Sequence, residues 1–220
     1  MPKIQSSAAG ELFFIYNRLY QAFGPQGWWP AETALEVIVG AVLTQNTAWF
    51  NVEKAINNLK KARLLNLERL SAIEPKTLAQ FIRPAGYFNI KARRLMEVMK
   101  WLKNAGGLKK LRRLTTPSLR KQLLCCYGIG PETADSILLY AFNRPVFVVD
   151  AYTRRILSRY GLITGSEPYD DLRIWLEKNM FPTTCSRTRV FNEFHALFVR
   201  LAKAYCRTKP LCPGCPLESD

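Results

Sequence analysis

At 220 residues the chain is long enough for one domain or two small ones, and a hydrophobic content of 48% is ample for a core. Lys and Arg outnumber Asp and Glu 32 to 17, and the net charge of +15 points to a polyanionic partner. There is no run of about 18 apolar residues, and Met1–Gly10 lacks an apolar signal core, so neither a membrane span nor a secretory leader is expected.

In chain order, Glu11–Phe23 carries Leu12, Phe13, Tyr16, Leu19, Tyr20 and Phe23 at helical spacing, and Gly24-Pro25-Gln26-Gly27 breaks it. Trp28-Trp29-Pro30 follows. Adjacent tryptophans usually anchor a core, but beside turn residues at least one is expected to face a cleft. Thr33–Leu43 is nearly all apolar and should be the central helix of its domain. It ends in the polar quartet Thr44-Gln45-Asn46-Thr47, where Asn46 or Thr47 suits the cap of a helix over Ala48–Lys61, with Trp49 just inside. Leu65–Ile82 reads as two short helices divided near Pro75. Pro84–Ala92 reads as a turn, a cap and the start of a helix reaching about Asn104. Tyr87 and Phe88 in that turn are expected to pack. Gly106-Gly107 ends the helix, and Leu108–Leu114 is short and basic. Between Arg83 and Lys121 twelve Lys and Arg face the single acid Glu97, which is +11 of the +15. So one-sided a cluster favours a phosphate track over a merely solvated face.

Cys126–Asp150 organises the rest. Leu119, Leu123 and Leu124 mark a helix over Pro117–Cys125 that stops before Gly128, which suits a left-handed cap. Gly130 keeps the turn free of side chains, and Pro131 suits the first position of a new helix with Ala134, Ile137, Leu138 and Ala141 on its buried face. Backbone N–H groups at such a helix start form an anion site, and glycines let a bulky backbone come close. Glu132 fits the first turn by the helix dipole. Cys125 and Cys126 read as small core residues. The buried run Val146–Val149 then delivers Asp150, a good N-cap, to a helix over Ala151–Tyr160. Asp170–Asn179 and Arg187–Tyr205 complete the helices. The single histidine, His195, lies in the last and reads as structural. No alternating strand run is persuasive, so the fold class is all-α.

The string from Cys126 to Asp150, with Val148-Val149-Asp150-Ala151-Tyr152-Thr153-Arg154-Arg155, resembles the helix-hairpin-helix, endonuclease III-like DNA glycosylase superfamily. Gly86-Tyr87-Phe88-Asn89-Ile90-Lys91-Ala92 resembles its Gly-aromatic-Asn-x-Lys-Ala segment. The Trp28-Trp29-Pro30 and Thr44–Trp49 stretches look like its bacterial 3-methyladenine branch. The resemblance covers roughly 33–215. It implies two helical lobes with the helix-hairpin-helix at the interlobe cleft: residues 31–145 form one, and residues 1–30 with 146–220 the second, which carries a Cys-rich loop. It implies Asp150 as the catalytic carboxylate. It also implies a base pocket of Trp28, Trp29, Pro30, Trp49 and Glu132, and DNA contacts through Gln45, Asn46, Lys91, Gly128, Ile129, Gly130 and Thr133, with Gln45 filling the gap left by a flipped base. One position departs: where bifunctional relatives carry the Schiff-base lysine, this chain has Glu132, which has no amine.

Cys206-x5-Cys212-x2-Cys215 has metal-ligand spacing, and six unevenly placed cysteines suit a reducing compartment better than a disulfide framework. The family's [4Fe-4S] pattern is Cys-x6-Cys-x2-Cys-x5-Cys, so the first gap is one residue short and the ligand set is incomplete in this chain. Cys185 is a possible substitute ligand, and zinc or three free thiols are the alternatives. The expected activity is that of a monofunctional N-glycosylase acting on alkylated purines such as 3-methyladenine in double-stranded DNA with the damaged base flipped out. An enzyme for oxidised or mismatched bases and a non-catalytic helix-hairpin-helix DNA-binding module are the alternatives. A monomer in the cytoplasm, associated with the nucleoid of a bacterium or archaeon, is expected.

Overall fold

Twelve α-helices account for most of the chain in the computed structural model, which describes residues 8–180 and 186–218; every regular element among the described residues is helical. The chain divides into two units. One spans Ala31–Arg144, and the other comprises the described residues of Met1–Pro30 and Pro145–Asp220.

The first unit is built around α2 (Ala34–Leu43). Thr33 caps it, its hydroxyl accepting from Glu36 N at 3.1 Å. Every residue from Glu36 to Leu43 is buried, as a helix apolar on all sides must be. It packs against α3 (Trp49–Lys61), α6 (Phe88–Asn104), α9 (Pro131–Ser136) and the π-helical turn Ile137–Ala141 that continues α9. The buried carboxylate of Glu36 pairs with Lys60 at 2.8 Å. The short helices α4 (Leu67–Ala72) and α5 (Pro75–Phe81) lie on α6 and part at Pro75. The start of α3 differs from expectation. Its N-cap is Ala48, with no side-chain cap. Asn46 has swung to φ 52°, and the Thr47 hydroxyl donates to Ala85 O at 2.6 Å, so both candidate caps are committed to the preceding turn.

After the short basic α7 (Gly107–Leu111), α8 (Thr116–Leu124) enters the hairpin and α9 leaves it. One ion pair ties the two. Arg120 Nε and Nη2 meet Asp135 Oδ1 and Oδ2 at 2.7 and 3.1 Å, and Asp135 is 0% exposed. This two-point contact fixes the angle between the hairpin's arms.

In the second unit α1 (Ala8–Phe23) packs on α11 (Tyr169–Asn179) and α12 (Arg187–Ala204), and α10 (Ala151–Arg159) packs on α12. Phe147, Phe191, Phe194 and Phe198 form an aromatic core, with Phe194 and Phe198 ring centres 4.2 Å apart. Val146–Val149 is buried and belongs to no regular element, with no strand beside it among the described residues. Side chains of α11 take the place of that strand: Phe147 N donates to Glu177 Oε1 at 3.0 Å, and Val149 N to the Tyr169 hydroxyl at 3.3 Å.

Candidate active site and nucleic-acid interface

The two hairpin glycines are there for different reasons. Gly128 sits at φ +78°, and a Cβ on it would collide with Cγ, Cδ and Nε of Arg94. Gly130 has ordinary extended angles, is exposed, and a Cβ on it would meet nothing within 4 Å. The fold requires a glycine at 128 and not at 130. The backbone at 130 is bare and open to the outside. Gly128→Ala is therefore expected to destabilise the unit by at least about 1–2 kcal/mol. Gly130→Ala should leave the melting temperature unchanged and weaken duplex affinity by roughly tenfold. Melting curves and titrations on both variants test this.

The turn after α2 is a second feature of this unit, and here the structure corrects several expectations. Lys91 does not face solvent. It is 1% exposed, and its ammonium donates to Leu43 O (2.8 Å), Thr47 Oγ1 (2.5 Å) and Ala85 O (2.7 Å). Burial, helped by the Arg94 charge, pushes it down to about 8. It is a clamp on the 44–47 turn, not a phosphate ligand. Lys91→Met, of similar length without the donors, strands three acceptors and should cost about 3 kcal/mol in a denaturant melt. Gln45 is also committed. Its Nε2 donates to Gly128 O and Thr133 Oγ1, both at 3.0 Å, and its Oε1 accepts from Arg94 at 2.5 Å. In the DNA-free chain it holds the turn to the hairpin. Thr133 is buried on that same bond, and Ile129 is a core side chain whose N–H donates to Cys126 O, so neither side chain reaches solvent.

Exposed at this face are Asn46, at the left-handed tip of the turn, Gly130, and Glu132 in the first turn of α9. Trp49 is half-buried at the start of α3. Tyr87 was expected to pack but is 73% exposed at φ 45°. An aromatic ring held out on a left-handed turn beside Gly86 is a residue the sequence reading missed; the Gly-aromatic pair was its only local signal. Of the twelve cations from Arg83 to Lys121, Lys91, Arg94 and Arg120 are committed inside the unit, while Arg83, Arg93, Lys109, Lys110, Arg112, Arg113 and Lys121 are exposed.

Asp150 belongs to the second unit. As N-cap of α10 its Oδ1 accepts from Thr153 N at 2.7 Å. Its Oδ2 lies 3.4 Å from Nε2 of His195. Burial pushes the Asp150 carboxyl up, but the His195 imidazole and the Thr153 N–H outweigh it and hold it below the usual carboxylate range. The result is a sheltered carboxylate that stays ionised. In the same unit Trp28 and Trp29 are half-buried, their rings 5.5 Å apart, and Pro30 is exposed. Their loop is pinned by Gln26 N donating to Glu193 Oε1 at 2.7 Å, and the Lys203 ammonium lies 5.9 Å from the Trp28 ring centre.

Cys206, Cys212 and Cys215 line one cavity of about 380 Å³ with Ile156, Tyr160 and Leu201. Arginines hold this loop. Arg155 Nε donates to Cys206 O at 2.8 Å, and Arg159 donates to Arg207 O and Thr208 O at 2.6 and 2.9 Å. Burial pushes the Cys215 thiol up, and the neighbouring thiols add to it. Among the described residues no group of three or more His, Cys, Asp or Glu side chains stands ready to hold a metal ion, and Cys185 lies outside them. These three thiols are one short of the four that a [4Fe-4S] cluster takes.

The chain belongs to the HhH-GPD superfamily of base excision DNA repair proteins, whose sequence profile matches residues 39–181. It is 46% identical over 210 residues to a candidate DNA repair glycosylase of Methanocaldococcus jannaschii, covering 94% of each chain. It is similar, at 32% identity and a TM-score of 0.77, to the H. pylori 3-methyladenine DNA glycosylase bound to 1,N6-ethenoadenine, covering 90% of this chain and 98% of that one. The fold is also that of endonuclease III trapped covalently on DNA, with a TM-score of 0.79 at 21% identity over 96% of this chain and 94% of that one. No helix among the described residues is long and apolar enough to cross a membrane.

Proposed function

We propose that this DNA glycosylase is monofunctional and removes alkylated purines such as 3-methyladenine by hydrolysis. The observation that carries the reading is the Asp150 carboxylate, sheltered yet ionised, in the unit that also presents Trp28 and Trp29. As the C1′–N bond breaks, the base departs with the bonding electrons and positive charge builds on the sugar. The Asp150 carboxylate stabilises that charge and orients the water that adds to C1′. Alkylated purines are cationic and already good leaving groups, so no strong general acid is needed. They also stack well on tryptophan. The similarity to the H. pylori 3-methyladenine enzyme supports this substrate class. Gly130, Asn46 and the exposed cations would meet the DNA backbone.

The test is release of bases from methylated duplex DNA, resolved by chromatography. Release of 3-methyladenine is expected. Release confined to oxidised or mismatched bases would move the substrate class, and tight duplex binding without release would leave only a DNA-binding module. We propose further that the enzyme works as a monomer in the cytoplasm at the nucleoid. A cluster-type centre on Cys206, Cys212 and Cys215 rests on their shared cavity and spacing. Iron and acid-labile sulfide in the purified protein would support it, while zinc alone or no metal would replace it.

A further inference from the structure

His195 is the only histidine in the chain, and it is 6% exposed in the middle of α12. A buried imidazole in an aromatic core has no need of a carboxylate for packing; a leucine or phenylalanine would fill the same volume. Yet its Nε2 lies 3.4 Å from Oδ2 of Asp150, across forty-five residues of sequence. An ionised carboxylate only accepts hydrogen bonds, so the imidazole nitrogen facing it is the one that carries hydrogen. Thr153 N already donates to Oδ1 at 2.7 Å. The two oxygens of the carboxylate are therefore addressed from two sides by groups on different helices: a backbone N–H of α10 and a side chain of α12. One contact alone leaves rotation about the Cβ–Cγ bond open, and the pair closes it.

We infer that His195 is a positioning residue for base excision: it fixes the plane of the Asp150 carboxylate so that one oxygen is presented to the sugar. This rests on the glycosylase reading. At 3.4 Å the approach falls short of a formed hydrogen bond, as catalytic contacts often do before substrate is bound, and it has room to shorten once the substrate is in place. A carboxylate held by a single donor would sample rotamers in which the charge at C1′ is misdirected, and the rate would fall with the fraction of time spent in them. His195 touches no reacting atom in this account; it acts only through Asp150.

The test compares His195→Gln with His195→Asn. The amide nitrogen of Gln reaches about as far as Nε2 of histidine, while that of Asn falls short, and both substitutions bury a similar amide. Single-turnover base release, affinity for undamaged duplex and melting temperature are measured on each. His195→Gln is expected to stay within about threefold of wild type in rate. His195→Asn should fall roughly 10- to 100-fold, the loss of one bond to a charged group. Duplex affinity should be unchanged in both. In an Asp150→Asn background the further change to His195→Asn should add nothing, because the two act as one unit. Equal rates for the two His195 variants, or losses that simply add in the double variant, would overturn the role and return His195 to packing. Wild-type protein is assayed first on the same damaged duplex. No release there counts against the glycosylase reading itself and takes this inference with it, whereas wild-type release beside a fully active His195→Asn sinks the positioning role alone.

Discussion

Asp150→Asn is expected to lower single-turnover base release by about two to three orders of magnitude, the usual loss when one electrostatic partner of a transition state is removed. Asparagine is as good an N-cap as aspartate, so the bond from Thr153 N to Oδ1 survives and α10 keeps its start. Duplex affinity should be unchanged, since the backbone contacts proposed above do not include Asp150. A small stability loss is expected at neutral pH, and its pH dependence has a definite sign. The folded carboxyl titrates below its ordinary value of 3.8, so its stabilisation is complete above that value and is lost as pH falls through the lower folded pKa. The gap in stability between wild type and Asp150→Asn should therefore be constant from pH 8 to 5 and close only in strong acid. Denaturant melts across that range check it. A folded Asp150→Asn protein with wild-type release would remove Asp150 from the chemistry.

Much of the fold could be read from local signals. Thr33, Pro75, Pro131 and Asp150 stand where caps and first turns need them, and the helices they start are present. The boundaries differ by up to three residues, as at the start of α1, where frayed ends blur the limit. Residue partners were harder to read than residue types. Lys91 sits in a basic stretch and looks like its neighbours, but its ammonium is clamped inside by carbonyls of Leu43 and Ala85 that no sequence window reveals. Gln45 stood out because a polar quartet after a buried helix is unusual. The acceptors it satisfies, Gly128 O and Thr133 Oγ1, lie more than eighty residues away. The partner of His195 was hidden for the same reason. A lone histidine on an apolar helix is most often packing, and only the folded chain brings Asp150 to it. Long-range contacts of this kind leave no periodicity for a sequence reading to catch, whereas caps and glycine turns do.

The largest qualitative effect concerns strand cleavage: the enzyme is expected to leave intact abasic sites. The lyase route needs an unprotonated amine that attacks C1′ and holds the sugar as an imine, and such lysines are activated by desolvation or a neighbouring cation. In the hairpin's second arm the position used by bifunctional relatives is Glu132, exposed in the first turn of α9 and without an amine. Lys91, the one lysine of the other unit that is desolvated, is locked onto three oxygens. Among the described residues of Asp150's own unit the lysines are Lys178, Lys203 and Lys209, and all three are exposed, with Lys203 engaged over the Trp28 ring. None has the surroundings of a Schiff-base nucleophile. Product strands should therefore stay uncut until alkali or a separate endonuclease is added, and borohydride should trap no covalent enzyme–DNA adduct. An adduct at substrate-level yield would overturn the monofunctional reading, and peptide mapping would then name the amine, with Lys203 the first to inspect. If wild type traps nothing, Glu132→Lys becomes the direct test. Gain of even weak trapping would put residue 132 within reach of C1′. A folded, base-releasing Glu132→Lys enzyme that still traps nothing would mean the missing lyase step has a cause other than the lost amine.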